Sequence, residues 1–483
     1  METQALNKKI GKATAWSSIT EIVAKLIVPI INIILARLLV PSAFGAVATV
    51  TMVITFAEIF SDAGFQKYII QHEFDSEDKL NKSSNVAFWT NLFVSFIIVA
   101  IICVFRGQIA TLVGNPELKN AIAVATILIV LVALSSIQIA RCKRDLDFKT
   151  LFFARIGSSL IPLLVTIPLA LILRNFWALL IGNFASQGFT ALFVTIKSKW
   201  RPKFFYNFKL FKEMFSFSAW TLLESVSIWL TVNVDIFIVG RSLSEHYLGI
   251  YKTSMTVVNS YVAIITGAIT PVIFSALSRY QNDEKQFKKT YYNFQRYAAI
   301  LIIPMCVGVF VFRDFVTQIL LGSQWSEASL MVGLWGLTSI FSLLFSSEIF
   351  RSKGKPLISL LLQVSHIIAI VAVVLLFINK DFSSLCIARA IIRTQITIFA
   401  LIILKFAFKF KLLDIFKNVL PSLISALIMG AVGYGLLFIS DSLIWQLASV
   451  LICIIVYFIS YYFIDKKTCK TCLDKVKSII HKK

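Results

Sequence analysis

The chain has 483 residues, of which 58% are hydrophobic and 15% charged, with a formal net charge of +22. Soluble domains average roughly 45–50% apolar and about 25% charged, so a single soluble globular fold is excluded. The basic residues sit between apolar runs rather than on one patch, which argues against a nucleic-acid partner and for orientation signals in a bilayer.

Spanning the hydrocarbon takes about 20 residues of helix. The first such segment, 13–37, carries Glu21 and Lys25 and follows Lys8, Lys9 and Lys12. It is too long and too polar for the apolar region of a cleavable signal peptide. Uncharged runs recur at 38–57, 83–105, 120–140, 156–173 and 175–196. A charge-bearing segment at 214–240 precedes runs at 253–278, 297–312, 328–347 and 356–379. Another charge-bearing segment at 382–404 leads to 418–440 and 442–464. These fourteen segments predict an all-α integral membrane protein with no extramembrane domain.

Placing the N-terminus inside puts most of the 47 Lys and Arg residues on one side of this alternation. The outer loops hold only Arg106, Lys119, Arg174, Arg241, Arg313 and Lys380. Helix count and orientation therefore support each other, with both termini expected in the cytoplasm.

An internal repeat runs at an offset of 204 residues. Ala15-Trp16 matches Ala219-Trp220, Arg37 matches Arg241, Leu39 matches Leu243, Gly45 matches Gly249 and Val53 matches Val257. The offset covers six helices, so the expected organisation is two six-helix lobes, 1–204 and 205–411, related by a pseudo-two-fold axis along the membrane normal. Helices 13 and 14 (412–465) and a basic cytoplasmic tail (466–483) follow. Two lobes around a midplane site is transporter architecture.

Charges kept inside a membrane usually face the protein interior or a water-filled cavity. On the first helix Thr14, Ser17, Ser18, Glu21 and Lys25 form one polar stripe. Glu21 and Lys25 either line a cavity or neutralise each other as an i,i+4 pair. On the seventh, Thr221, Glu224, Ser227, Thr231 and Asp235 form a second stripe; Asp235 alternatively pairs with Arg241 or caps the helix. Arg389 and Arg393 lie one turn apart on the twelfth helix, Arg389 too deep to snorkel, and guanidinium forks suit phosphate. The alternative is a pairing with Glu224 or Glu21. Arg155 lies within snorkelling reach of its helix end, as a weaker ligand candidate. Glu58 and Asp62, at the end of the second helix, read as solvated.

The seven cysteines include one CxxC, Cys469 and Cys472, which supplies two ligands where zinc wants four. No nucleophile constellation, phosphate loop or metal cluster stands out, so the chain reads as a transporter and not an enzyme.

Several segments resemble the polysaccharide flippases of the multidrug/oligosaccharidyl-lipid/polysaccharide exporter superfamily, the branch with O-antigen and teichuronic acid exporters. They include Leu39-Val-Pro-Ser-Ala-Phe-Gly45, Ala87-Phe-Trp-Thr-Asn91, Arg144-Asp-Leu-Asp-Phe-Lys149, Trp177-Ala-Leu179, Trp200-Arg-Pro202, and Asp235 through Arg241 followed by Leu248-Gly-Ile-Tyr251. The glycine-rich turn often found before Trp-Ala-Leu is here Arg174-Asn175-Phe176.

The resemblance implies movement of an undecaprenyl-diphosphate-linked oligosaccharide from the cytoplasmic to the outer leaflet of a bacterial plasma (inner) membrane by alternating access. It implies no bound cofactor, and polysaccharide polymerases or glycosyltransferases as partners. Lys25, Arg155, Arg389 and Arg393 would then offer donors to the diphosphate. Glu21, Glu224 and Asp235 would carry a coupling proton or sodium ion. The competing readings are a lipid II flippase, a drug/cation antiporter of the same superfamily, and a membrane glycosyltransferase or polymerase. A cationic cavity argues against the antiporter. The lack of a large extracytoplasmic loop or acidic catalytic cluster argues against the enzyme.

Overall fold

The computed structural model describes residues 2–62, 64–344, 348–353 and 355–471. Cys472 and the tail lysines beyond it lie outside these residues, and so does the side chain of Trp220. Every regular element among them is helical. In a bilayer only a helix or a closed barrel satisfies its own backbone.

The first six long helices are α1 (Glu2–Leu38), α2 (Pro41–Asp62), α3 (Glu77–Val104), α4 (Pro116–Arg144), α5 (Phe148–Leu173) and α6 (Phe176–Lys197). The next six are α7 (Phe208–Ser242), α8 (Glu245–Arg279), α9 (Glu284–Val311), α10 (Ser323–Leu344), α11 (Pro356–Phe377) and α12 (Phe382–Phe406). The series ends with α13 (Leu412–Leu437) and α14 (Leu443–Ile464). Among the described residues thirteen of these are long and apolar enough to cross a membrane. The remaining one, α8, is a 35-residue helix over the predicted eighth segment.

Short polar side chains set many of the helix starts by accepting a backbone N–H of the first turn. Ser76 does so for α3, Asp147 for α5, Asn175 for α6 and Asn207 for α7. Asp283, Asp381 and Ser442 do the same for α9, α12 and α14. Among the described residues α4, α5 and α12 are interrupted in mid-span. α4 breaks at Thr126, whose hydroxyl donates to Ala123 O (2.6 Å), and α12 at Thr394, whose hydroxyl donates to Ile391 O (2.8 Å). α5 breaks at Val165, between Pro162 and Pro168, where missing N–H groups weaken the ladder.

The outside of the bundle is apolar. Leu164, Leu376, Leu427, Ile444 and Phe463 all stand largely exposed. Such a surface needs lipid around it.

By packing, the chain divides into two compact units, Met1–Thr253 and Ser254–Lys483. In the first, α7 packs along α2 and the start of α3, which places it with the N-terminal helices. In the second, α13 and α14 pack on α9. Tyr457 donates to Ile300 O (2.9 Å) and Arg296 to Asn418 Oδ1 (2.8 Å).

Some of the segments that carried the family resemblance are backbone corners, while Ala87–Asn91, Asp235–Arg241 and Leu248–Tyr251 lie inside α3, α7 and α8. Arg144 donates to the carbonyls of Ile69 (2.9 Å) and His72 (2.7 Å) and so closes the short helix Phe65–Gln71. Leu146 turns the chain with φ 57°, and Asp147 caps α5. Arg174 takes the left-handed conformation (φ 50°) just before Asn175 caps α6. The corner that favours glycine is thus retained with an L side chain, at roughly 1 kcal/mol.

The repeat-related glycines meet. A Cβ on Gly45 would stand 2.7 Å from the carbonyl carbon of Glu245 and 3.0 Å from the nitrogen of Gly249. A Cβ on Gly249 would stand 2.7 Å from the carbonyl carbon of Pro41 and 3.0 Å from the nitrogen of Gly45. Pro41 and Glu245 are themselves 204 residues apart, so the starts of α2 and α8 cross in a reciprocal contact with bare backbone on both sides.

Candidate functional site

The first unit has a half-open cavity of about 880 Å³ between α1, α2, α4, α5 and α6. Its α1 wall takes Ser17 and Glu21 from the polar stripe read from the sequence and adds Thr20, with Asn32 three turns on. Lys143 and Arg155 come from the end of α4 and from α5, and Asn183, Ser186 and Gln187 from α6. Lys25 is ion-paired with Glu21 at 3.7 Å, with the Glu21 side chain 68% exposed. The hydroxyls of Ser158 and Ser159 are spent on Arg155 O (2.9 and 2.8 Å), one turn back. Among the described residues the side chains of Arg155, Lys143, Asn32, Asn183 and Gln187 make no hydrogen bond or ion pair with protein. The cavity is therefore lined by unspent donors and acceptors with a positive bias.

The seventh-helix stripe is distributed differently. Glu224 is ion-paired with Lys67 of the helix Phe65–Gln71 at 2.7 Å. Ser227 and Thr231 return their hydroxyls to Leu223 O and Ser227 O, each at 2.9 Å. Asp235 is buried and accepts from the Tyr251 hydroxyl of α8 (2.9 Å) and from Ile236 N (2.9 Å). A second cavity of about 470 Å³ lies between α2 and α7, with Lys252 of α8 and Trp229 on its wall. Trp229 Nε1 donates to Thr55 Oγ1 at 3.1 Å.

Asp62 departs from the solvated end expected of it. It accepts from Ser136 Oγ (2.9 Å), which in turn accepts from Asn91 Nδ2 (3.2 Å). A neighbouring helix that the α2 sequence does not reveal turns this end into an interior polar chain.

In the second unit Arg389 and Arg393 of α12 both lie over the indole of Trp335 of α10, at 4.9 and 4.1 Å from its ring centroid. Arg393 donates to Trp335 O and to Ser339 Oγ, each at 3.0 Å, and Trp335 Nε1 donates to Asn259 Oδ1 (3.1 Å). Arg389 is 5% exposed. Stacking on an aromatic face and donating through a planar fork are both guanidinium properties that an ammonium lacks. Trp335 was not singled out from the sequence. Its position in mid-run, away from the segment ends where Trp usually lies, was the available signal.

Glu21 and Arg155 thus both line one cavity, and Lys25 is tied to it only through its ion pair with Glu21. Glu224 and Asp235 each have their own partner elsewhere in that unit, and Arg389 with Arg393 form a separate pair in the other. Among the described residues no group of three or more His, Cys, Asp or Glu side chains could hold a metal ion.

The family model described as "Polysaccharide biosynthesis protein" matches residues 34–330. The chain belongs to this family. Curated relatives include the succinoglycan biosynthesis transport protein ExoT of Rhizobium meliloti, 23% identical over 63% of this chain and 61% of its own length. The teichuronic acid biosynthesis protein TuaB of Bacillus subtilis is 21% identical over 73% of each chain. The lipopolysaccharide biosynthesis protein WzxC of Escherichia coli is 22% identical over 75% of this chain and 72% of its own. The match thus spans less than two thirds of ExoT. Among solved structures, the lipid II flippase MurJ in an inward closed conformation superposes with a TM-score of 0.72 at 16% identity, covering 94% of this chain and 99% of that one. An inward-facing multidrug resistance MATE family transporter of the MOP superfamily gives 0.59 at 12%, covering 81% and 98%. At these identities the likeness is one of fold: the all-helical fold of this family member is that of the MOP transporters.

Proposed function

We propose that this protein is a flippase that carries a lipid-linked oligosaccharide, with undecaprenyl diphosphate as the lipid carrier, from the cytoplasmic to the outer leaflet by alternating access. The observation that carries the reading is the 880 Å³ cavity inside a membrane-spanning unit, walled by Arg155, Lys143 and side-chain amides without protein partners. Unsatisfied polar groups at membrane depth are costly. They are accounted for by a cargo that is itself polar, such as a sugar head group. The names of the polysaccharide-pathway relatives agree with that cargo class. Arg155, with Lys25 beside Glu21, serves the anionic and hydroxylated head group in the first unit, and Arg389 with Arg393 are the guanidinium pair that the second unit offers to the same chemistry. Glu21, Glu224 and Asp235 are the carboxylates available to a coupling proton or sodium ion.

The test is reconstitution. Purified protein in liposomes should move a fluorescent polyprenyl-diphosphate oligosaccharide across the bilayer, read as loss of the label to a membrane-impermeant quencher. Rates no higher than in protein-free liposomes would refute the reading.

The orientation follows the lysine and arginine distribution, with both termini cytoplasmic. Reporter fusions after residues 144, 279 and 411 are expected to give cytoplasmic signals. An external signal at any of the three breaks the topology.

A further inference from the structure

The segment joining α6 to α7 has an unusual composition. Residues 197–212 contain six Lys or Arg, six aromatic residues and no Asp or Glu. The structure sorts the aromatics into two sets. Trp200, Phe205 and Phe211 pack into a buried cluster with the short helix Phe65–Gln71, α3 and α4. Phe204, Tyr206 and Phe208 stay 92%, 51% and 70% exposed, with Phe204 set edge-on to Trp89 at 5.4 Å and the Tyr206 hydroxyl accepting from Thr90 Oγ1 (3.3 Å).

This exposure belongs to a pinned backbone. Lys203 N donates to Asn85 Oδ1 (2.9 Å), and the Trp89 indole donates to Lys203 O (2.9 Å), so both backbone groups of one residue are tied to α3. Asn207 then accepts from Lys209 N and Leu210 N to start α7. The chain is thus held with three exposed rings against α3 and the start of α7, interleaved with the exposed cations Lys199, Arg201, Lys203 and Lys209. In water, rings presented this way would be an uncovered apolar patch.

We propose that residues 199–209 form a fixed strap that docks on the anionic phospholipid head groups of the adjoining leaflet. Phe204, Tyr206 and Phe208 sit in the interfacial layer, and the four cations lie over the phosphates. Two observations select lipid as the occupant. The strap joins the ends of two spanning helices, which is where the water–hydrocarbon boundary falls. Its charge is also of one sign, matching an anionic surface that attracts basic juxtamembrane segments, while aromatic rings favour the same depth. The inference is independent of which cargo the protein carries.

The experiment uses full-length protein in nanodiscs containing phosphatidylglycerol or phosphatidylcholine alone. Phe204→Trp adds one indole to the native nine Trp residues, and its emission is read as the difference from the parent. In phosphatidylglycerol discs the added emission should be quenched by lipids brominated along the acyl chain and shielded from aqueous iodide. Replacing Lys199, Lys203 and Lys209 with Gln should restore iodide access. It should also lower the phosphatidylglycerol retained by the purified protein in native mass spectrometry, with each cation worth about fivefold. Free access of iodide in phosphatidylglycerol discs, or equal shielding in the two lipids, overturns the proposal. So does shielding that appears only when a soluble cell fraction is added, which would make the strap a protein-binding epitope.

Discussion

Gly249→Ala is expected to lower stability by about 3 kcal/mol, the upper end of the usual range for overpacking. The reason is the identity of the neighbour. The new methyl would meet the Pro41 carbonyl group and the nitrogen of Gly45, which are backbone and cannot rotate aside. Relief requires the starts of α2 and α8 to separate. Gly45→Ala should behave alike, because its methyl meets Glu245 in the same way. Gly188→Ala is the control: nothing lies within 4 Å of its added carbon, and alanine in a helix interior is favoured over glycine by up to about 1 kcal/mol. Thermal unfolding in detergent, followed by fluorescence-detected size exclusion, should rank the three. A Gly249→Ala protein melting with the Gly188→Ala protein would show that this crossing is not tight.

The second large effect concerns α12. Replacing both Arg389 and Arg393 with Ala removes two stacked cations from Trp335, and with Arg393 the donor to Trp335 O and Ser339. If these groups hold the head group, export of surface polysaccharide falls by about 10–100-fold, the range for losing charge-assisted hydrogen bonds of about 1.5–3 kcal/mol. Because the alanine pair also loosens α10 against α12, a lysine pair is the sharper probe. It keeps both charges but loses the planar fork. It should retain normal protein level and still export poorly. Normal polymer from the lysine pair at wild-type protein level would remove the guanidinium assignment, whatever the alanine pair does.

The helices were legible in the sequence because lipid imposes a simple rule on length and composition. Their starts were less so. The third predicted run begins at residue 83, whereas α3 begins at Glu77 behind the Ser76 cap. The ninth is predicted from residue 297, whereas α9 begins at Glu284. In both cases the helix continues past the apolar run through charged turns whose pairs are local: Lys82 with Asp78 at 2.6 Å, and Lys288 with Glu284 at 3.3 Å. Counting uncharged residues stops at Lys82 in α3 and at Arg296 in α9, whose partner Asn418 lies on α13.

The candidate site divides along similar lines. The α1 stripe could be read from steps of three and four, because those residues share one helix. What each charge faces could not. Lys67 beside Glu224, Tyr251 beside Asp235 and Trp335 beneath the two arginines all come from other helices. Part of the family resemblance rests on chain corners and caps, such as Arg144, Leu146 and Asp147. They therefore identified the fold more sharply than the chemistry.

The reciprocal crossing at Gly45 and Gly249 has an evolutionary reading. A contact in which i meets j′ while j meets i′ is the signature of an isologous dimer interface. Were the 204-residue repeat the trace of a half-length ancestor that paired with itself, one mutation at this glycine would have struck such an interface twice, and after fusion only once. At the offset of 204, Asp235 and Tyr251 correspond to Ile31 and Val47. One copy thus carries a buried carboxylate–phenol pair where the other is aliphatic. The two glycines constrain each other sterically, while the residues a few turns away differ between the two repeat positions.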